Sequence, residues 1–299
     1  MKIGISVCSL HFVDDPRTGA RHMIERTASA REAGLDSLFV GDHHVTASPY
    51  YQNNVILARM LAEWGSKPFG ALYLLPLWHP VLLAEQIGTL ASLSEGPFIM
   101  QCGLGDEPQG VRMGIDLSKR VGMFTASLNV LRQLWAGESV SEGRYWGIDQ
   151  ARISPIPPET VEVWVGATAD RAIRRTARMG DAWLASPGLT LSSAADGITL
   201  YHRYCEEFDR TPTASAIRRD MYVGESAEEA VRTMSPYINK GYRGIDPEAL
   251  LIGSIAQVSE QLSTLQMLGY TDVIVRNISQ DQSQCLASIE RLSEVRDQL

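Results

Sequence analysis

The chain has 299 residues, 44% hydrophobic and 21% charged, which suits one large globular domain or two small ones and excludes a mini-protein held by staples. Glycine (25) and proline (14) are near ordinary usage, so long disordered or fibrous segments are not expected. With 27 Lys and Arg against 35 Asp and Glu, the formal charge of −8 disfavours nucleic acid and anionic membrane surfaces as partners. Cys8, Cys102, Cys205 and Cys285 stand far apart, without CxxC or Cys/His zinc spacing, so no structural metal is expected. Nothing in the sequence reads as a signal peptide or a membrane span, and free thiols in a reducing cytoplasm are the expectation.

In chain order, short apolar runs at 3–7, 37–41, 69–75, 98–103, 162–166, 182–186, 219–223 and 272–277 read as eight strands. Helical periods fill the gaps. Leu83, Ile87 and Leu90 share a face after Pro80, and Val121, Phe124, Leu128, Leu131 and Trp135 share another before Gly137. Ser226 with Glu229 and Ser254 with Gln257 have capping-box spacing, and Val258, Leu262, Leu265 and Leu268 form an apolar face that stops at Gly269. Strands buried on both faces and separated by helices imply parallel pairing, and eight such units predict an α/β fold of the (β/α)8 (TIM) barrel type. A doubly wound open sheet is the rival, but the first strand runs into Ser9-Leu10-His11-Phe12-Val13-Asp14-Asp15-Pro16, which lacks the glycine spacing of a dinucleotide turn. Segments 138–160 and 187–218 exceed ordinary connections and are expected to be excursions near one mouth that shape the pocket.

In such a barrel the chemistry belongs at the carboxyl ends of the strands. There stand Ser9 and His11, then Asp42, His43 and His44, then Pro76 and His79, then Gly103 to Glu107, and finally Gly166 to Ala169. Two imidazoles beside a carboxylate suit proton transfer near neutral pH; structural hydrogen bonding and metal ligation are the competing readings. Adjacent histidines on extended backbone point opposite ways, so at most one would join Asp42 on a metal. Thr168 and Ala169 open a helix carrying Arg171, Arg174, Arg175 and Arg178, which suits either a bound phosphate or a solvated basic face. Trp78, Trp146, Trp164, Trp183, Tyr50, Tyr51 and Tyr73 are candidates for an aromatic pocket or for plain core.

Segment 33–44, AGLDSLFVGDHH, resembles the second β/α unit of bacterial-luciferase-like, flavin-dependent oxidoreductases. Further matches are LPLWHP at 75–80 running into Ala84, Glu85 and Gln86, LRQLW at 131–135, VWVG at 163–166 and ARMGDAWL at 177–184. The resemblance covers nearly the whole chain in order and implies a single luciferase-like barrel domain over 1–299, commonly a homodimer. It implies a flavin-type ring over the barrel mouth, faced by Asp42 and His43 or His44 as catalytic residues. His11, the Ala71-Leu72-Tyr73 segment as a backing bulge, and Leu104, Gly105, Asp106 and Gln109 would contact the cofactor, while Thr168, Ala169 and Arg171 would meet its phosphate.

The family has two chemical branches. In one, reduced FMN from a separate reductase captures O2 as a C4a-peroxide that attacks a small organic substrate; in the other, coenzyme F420 passes only hydride. The double histidine favours an FMN monooxygenase. F420 carries an acidic tail that needs several basic residues, for which Arg203, Arg218, Arg219 and Arg243 are available. An F420-dependent dehydrogenase or reductase is the alternative, and a non-catalytic flavin-binding protein is the third reading.

Overall fold

The computed structural model describes all 299 residues. Its elements are β1 (Lys2–Val7), α1 (Pro16–Glu32), β2 (Ser37–Val40), α2 (Asn53–Trp64), β3 (Phe69–Leu74), α3 (Pro80–Ala91), β4 (Phe98–Gly103), α4 (Glu107–Met113) and α5 (Arg120–Trp135). There follow β5 (Val140–Glu142), β6 (Ile148–Ala151), β7 (Glu162–Gly166), α6 (Asp170–Met179), β8 (Ala182–Ala185), α7 (Leu191–Glu207) and β9 (Ala214–Val223). The chain closes with α8 (Ala227–Ile238), β10 (Leu251–Gly253), α9 (Ile255–Met267), β11 (Asp272–Asn277), α10 (Gln282–Glu290) and α11 (Leu292–Asp297). Strands β1, β2, β3, β4, β7, β8, β9 and β11 pair in parallel, and the β8–β9 and β11–β1 pairings close the ring. This is a (β/α)8 barrel, as the alternation of elements predicts. Strand β10 is an addition, paired only with Met221 to Val223 at the end of β9.

The period of two along each strand divides its side chains between two cores. Ile3, Ile5, Val7, Leu38, Val40, Val273 and Val275 face the helices and join their apolar stripes in the main core. Phe39, Ile99, Trp164, Ala182, Leu184, Ala214, Ala216 and Ile274 form a separate cluster that plugs the lumen. Each fully buried large apolar side chain is worth about 1.5–3 kcal/mol. Gly70, the register partner of Phe39, has to be glycine, because a Cβ there would lie 1.8 Å from the Ile99 carbonyl oxygen.

The expected helix faces are buried at Leu83, Ile87 and Leu90, at Phe124, Leu128 and Leu131, and at Val258, Leu262 and Leu265; Val121 is exposed on the first turn of α5. Ser254 and Gln257 form a complete capping box. At Ser226 only half of the expected box forms, because the Glu229 carboxylate accepts from the Glu225 N–H instead.

Two sequence expectations are corrected. Segment 187–218 is not an excursion: it holds α7 and the first half of β9, an ordinary barrel unit. Adjacent arginines mask that strand in the sequence. In the fold they split by the strand period, with Arg218 lining the cavity at the mouth and Arg219 donating to the Pro187 carbonyl. Segment 138–160 forms the antiparallel β5–β6 hairpin, which leaves the end of α5 at the amino edge of the barrel. It climbs the outside of the helices until the Trp146 ring lies 5.7 Å from that of His79. No residue of the hairpin lines the cavity at the mouth. No helix is long and apolar enough to cross a membrane.

Candidate active site

Above the apolar plug, the carboxyl edge opens into a polar cavity of about 300 Å³. Its walls come from consecutive strands: Arg218 on β9, Arg276 on β11, Cys8 after β1, His43 after β2 and Leu72 on β3, with Tyr50 completing the rim. Parallel pairing brings these strand ends to one level, although the residues span most of the chain.

The Asp42-His43-His44 run divides as extended backbone requires. Asp42 is buried; its Oδ2 accepts from the Leu74 N–H and the Trp78 Nε1–H, both at 2.8 Å, and so ties the end of β2 to the end of β3. His44 Nε2 lies 3.0 Å from Asp42 Oδ1, off the hydrogen-bond line, so the contact is one of charge and proximity. Burial disfavours the charged imidazole, but contact with Asp42 and its negative charge outweigh burial and leave the His44 pKa above the ordinary value. The His44 N–H donates to Gln109 Oε1 at 2.8 Å, and its ring meets the edge of Trp78. His44 is thereby sealed in the wall, and His43 alone of the pair lines the cavity, 5.7 Å from the Tyr50 ring. Tyr50 is held as the neutral phenol, its pKa pushed up to about 12 by burial and then by the charge of Asp42.

The opposite wall is cationic. Asp220, fully buried on β9, accepts from the Tyr242 hydroxyl at 2.9 Å and from Arg243 Nη1 at 2.5 Å, with Arg276 Nη1 at 3.6 Å. Arg276 also donates to the Cys8 thiol at 3.1 Å. Burial raises the Cys8 pKa, yet the charge and hydrogen bond of Arg276 outweigh it and bring the thiol below its ordinary value. Among these residues, Cys8, Asp220, Tyr242 and Arg276 were not picked out as site residues from the sequence. The same strand-end rule applied to the eighth barrel strand points to Arg276, whereas Asp220 lies inside the run read as the seventh strand.

Other expected contacts lie elsewhere. His11 is buried behind the β1–α1 loop, with Nε2 2.9 Å from the Cys8 carbonyl oxygen, and does not line the cavity. Ala71 and Tyr73 point away from the lumen into the helix-side core, where the Tyr73 hydroxyl donates to Asn54 Oδ1. The 71–73 segment forms no bulge, because β3 and β4 pair in unbroken register from Phe69 to Leu74; only Leu72 lines the cavity. Gly105 turns with φ +71° against Leu74 and Leu77, following Leu104 at the end of β4. Asp106 caps α4 through the Gln109 N–H, so Gln109 braces the wall between Asp106 and His44. Thr168, Ala169 and Arg171 are exposed at the start of α6, on the same barrel edge but outside this cavity. Of the candidate aromatics, Trp164 belongs to the lumen plug, Trp183 packs between Tyr201 and Tyr270, and Trp78 serves Asp42.

His11 makes the fold acid-sensitive. Burial, reinforced by the charge of Arg26, lowers its pKa to about 4, below that of the unfolded chain. The neutral ring therefore contributes its full stability above about pH 6.5, and roughly 3 kcal/mol is lost as pH falls from there through 4. Urea unfolding of wild type and His11→Gln at pH 7.5 and 4.5 should show the steeper loss in wild type; equal losses would contradict it.

The fold brings these strand-end groups together at the carboxyl edge, the face where barrels of this type take their ligands. The chain belongs to the luciferase-like monooxygenase family, whose model matches residues 1–274. Over 214 residues it is 27% identical to the F420-dependent glucose-6-phosphate dehydrogenase of Nakamurella multipartita, a match covering 64% of this chain and 62% of that protein. The chain thus spans less than two thirds of that relative's length. Among solved structures, monooxygenase RslO1 from Streptomyces bottropensis superposes with a TM-score of 0.85 at 16% identity, covering 98% of each chain. An F420-dependent secondary alcohol dehydrogenase in complex with an F420–acetone adduct superposes with a TM-score of 0.80 at 17% identity, covering 98% of this chain and 97% of that one. At such identities the two structures speak for the fold alone.

Proposed function

We propose that this protein is an F420-dependent oxidoreductase that exchanges a hydride with the carbinol or carbonyl carbon of a small organic substrate. The geometric observation that carries this reading is the single imidazole at the cavity. Hydride transfer from an alcohol needs one proton acceptor, and His43 supplies one. The preference for reduced FMN drew on a pair of histidines, and His44 is committed to Asp42 and Gln109. The F420-dependent relative from Nakamurella favours the same branch.

The residues present suit a flat ring with a phosphate-bearing tail. Gly103 and Gly166 at the ends of β4 and β7 are loosely surrounded: a Cβ on Gly103 would meet only Leu74 Cδ2, at 3.8 Å, and one on Gly166 only the Cys102 carbonyl oxygen, at 3.4 Å. The N-cap of α6, Ala169, offers no side-chain oxygen to the helix and its carbonyl takes the Ala172 N–H, so the Asp170 and Arg171 N–H groups are left for a phosphate, with Thr168 beside them and the Asp170 carboxylate held by the Tyr204 hydroxyl. F420, when bound there, supplies a two-electron hydride acceptor. His43 would take the proton of the substrate hydroxyl, Asp42 and Trp78 would hold the end of β2 in place, and Tyr50 would remain a neutral hydrogen-bond donor.

Thermal melting with F420, FMN, FAD and NADPH tests the cofactor. A ligand at a hundredfold excess over its Kd adds about 2.7 kcal/mol, so F420 should raise the melting temperature most. F420 reduction is then followed with glucose 6-phosphate and with secondary alcohols. A larger shift with FMN than with F420 would overturn the reading in favour of the monooxygenase.

A further inference from the structure

We propose that Arg218, supported by Arg276 and Arg243, forms an oxyanion subsite for a phosphate or carboxylate group of the substrate, which makes that substrate an anionic hydroxy or oxo compound. The proposal rests on the reading that the substrate of the F420 reaction occupies this cavity.

The arrangement of partners singles out Arg218. Three guanidinium groups gather here around one carboxylate, that of Asp220, whose Oδ2 serves Tyr242, Arg243 and Arg276 while its buried Oδ1 has no partner. Arg276 has a further partner in the Cys8 thiol. Arg218 stands two residues before Asp220 on β9, hence on the same lumen face, and it lines the cavity. It makes no ion pair, and its buried Nε has no acceptor. Burial pushes its pKa down to about 10, so it remains a cation at neutral pH. A desolvated charge that shares its nearest carboxylate without touching it is costly, and a protein whose overall charge is −8 places this one beside two more cations, at the wall of an open cavity. A planar guanidinium fork matches the two oxygens of a carboxylate or phosphate. The hydroxyl-bearing neighbours agree with such a guest: Ser6 and Ser9 line the same space, and Ser9 Oγ is buried without a partner. Strand β2, which His43 follows, is separated from the strand of Arg276 only by β1, so a small molecule anchored at the arginines presents its neighbouring carbons to His43.

Two sources of anion compete for these arginines, the substrate and the acidic tail of F420, and the experiment separates them. Binding of inorganic phosphate, lactate and the neutral control glycerol is measured by calorimetry without cofactor, on full-length wild type, Arg218→Met and Arg218→Lys; F420 affinity is measured in parallel. Wild type should bind phosphate or lactate at least about tenfold more tightly than glycerol, Arg218→Met should lose about tenfold or more, and Arg218→Lys should keep part of the affinity. F420 affinity should stay within about twofold. Because the Met variant removes a partly buried charge that makes no ion pair, its melting temperature should hold or rise, and the Lys variant preserves the charge should Met fail to fold. Anion binding no tighter than glycerol, or equal phosphate affinity in wild type and Arg218→Met, would overturn the proposal. Loss of F420 binding in Arg218→Met would assign the arginine to the cofactor tail and overturn it too. Should FMN prove the preferred cofactor while anion binding depends on Arg218 as described, the subsite stands and only the cofactor reading falls.

Discussion

Asp220→Ala should destabilise the fold by about 3–5 kcal/mol, the cost of removing one partner from a buried ionic cluster. Asp220 is the carboxylate that holds Arg243 and Arg276 in place, and it also accepts the Tyr242 hydroxyl. Without it, three guanidinium groups share a low-dielectric pocket with no fixed counter-charge, and their mutual repulsion adds to their desolvation. Arg243 would respond most: it sits at φ +51°, a left-handed conformation that non-glycine residues rarely adopt, between Gly241 and Gly244, which also have positive φ. Asp220 is its ion-pair partner in that position. Asp220→Asn keeps an acceptor for Tyr242 and should lose less. Equilibrium urea unfolding measures both variants, and a loss below about 1 kcal/mol for the alanine variant would show that the arginines are solvated rather than clamped. If Arg218 is an oxyanion site, phosphate should restore more stability to Asp220→Ala than to wild type, since the added anion supplies the missing charge.

The barrel was legible because strands buried on both sides leave near-continuous apolar runs, such as residues 98–102 and 272–275, that no helix period explains. The wall that holds Asp42 was legible in part. Its position at a strand end follows from the fold, but which histidine turns inward depends on the local exit of the chain from β2. Of the cationic wall, Arg218 and Arg243 were named as available bases, but their grouping with Arg276 was hidden for two reasons. Arg218 and Arg219 together look like a polar break, although the strand period sends them to different layers. The pairing of Arg276 with Cys8 joins residues 268 positions apart, which leaves no local signature. The absent bulge at 71–73 has a comparable origin: Ala71 and Tyr73 fit so well into the helix-side core that the β3–β4 register runs straight through. A resemblance to relatives supplies the place of a cofactor-backing segment, whereas the packing of this chain's own side chains decides its shape.

His43→Ala should lower kcat/KM by about 10²–10⁴-fold with little change in melting temperature or F420 affinity, the range for losing a general base. His43 is the one imidazole at the cavity and makes no side-chain ion pair or hydrogen bond, so its removal costs the fold little. His43→Gln, which can donate and accept hydrogen bonds but cannot carry the proton, should be about as defective as alanine; recovery in Gln would mean that the ring only positions the substrate. His44→Ala should show the inverse pattern. It leaves Asp42 Oδ1 buried without its imidazole neighbour, so stability should fall by about 1–3 kcal/mol while turnover, measured at a temperature where the variant is folded, falls less than in His43→Ala. Activity in His43→Ala within about threefold of wild type, or a greater kinetic loss in His44→Ala, would move proton transfer from His43 to another group. In the second case the Asp42–His44 pair would be the stronger candidate, because the carboxylate contact that raises the His44 pKa would also stabilise the imidazolium formed when an alcohol proton is taken up.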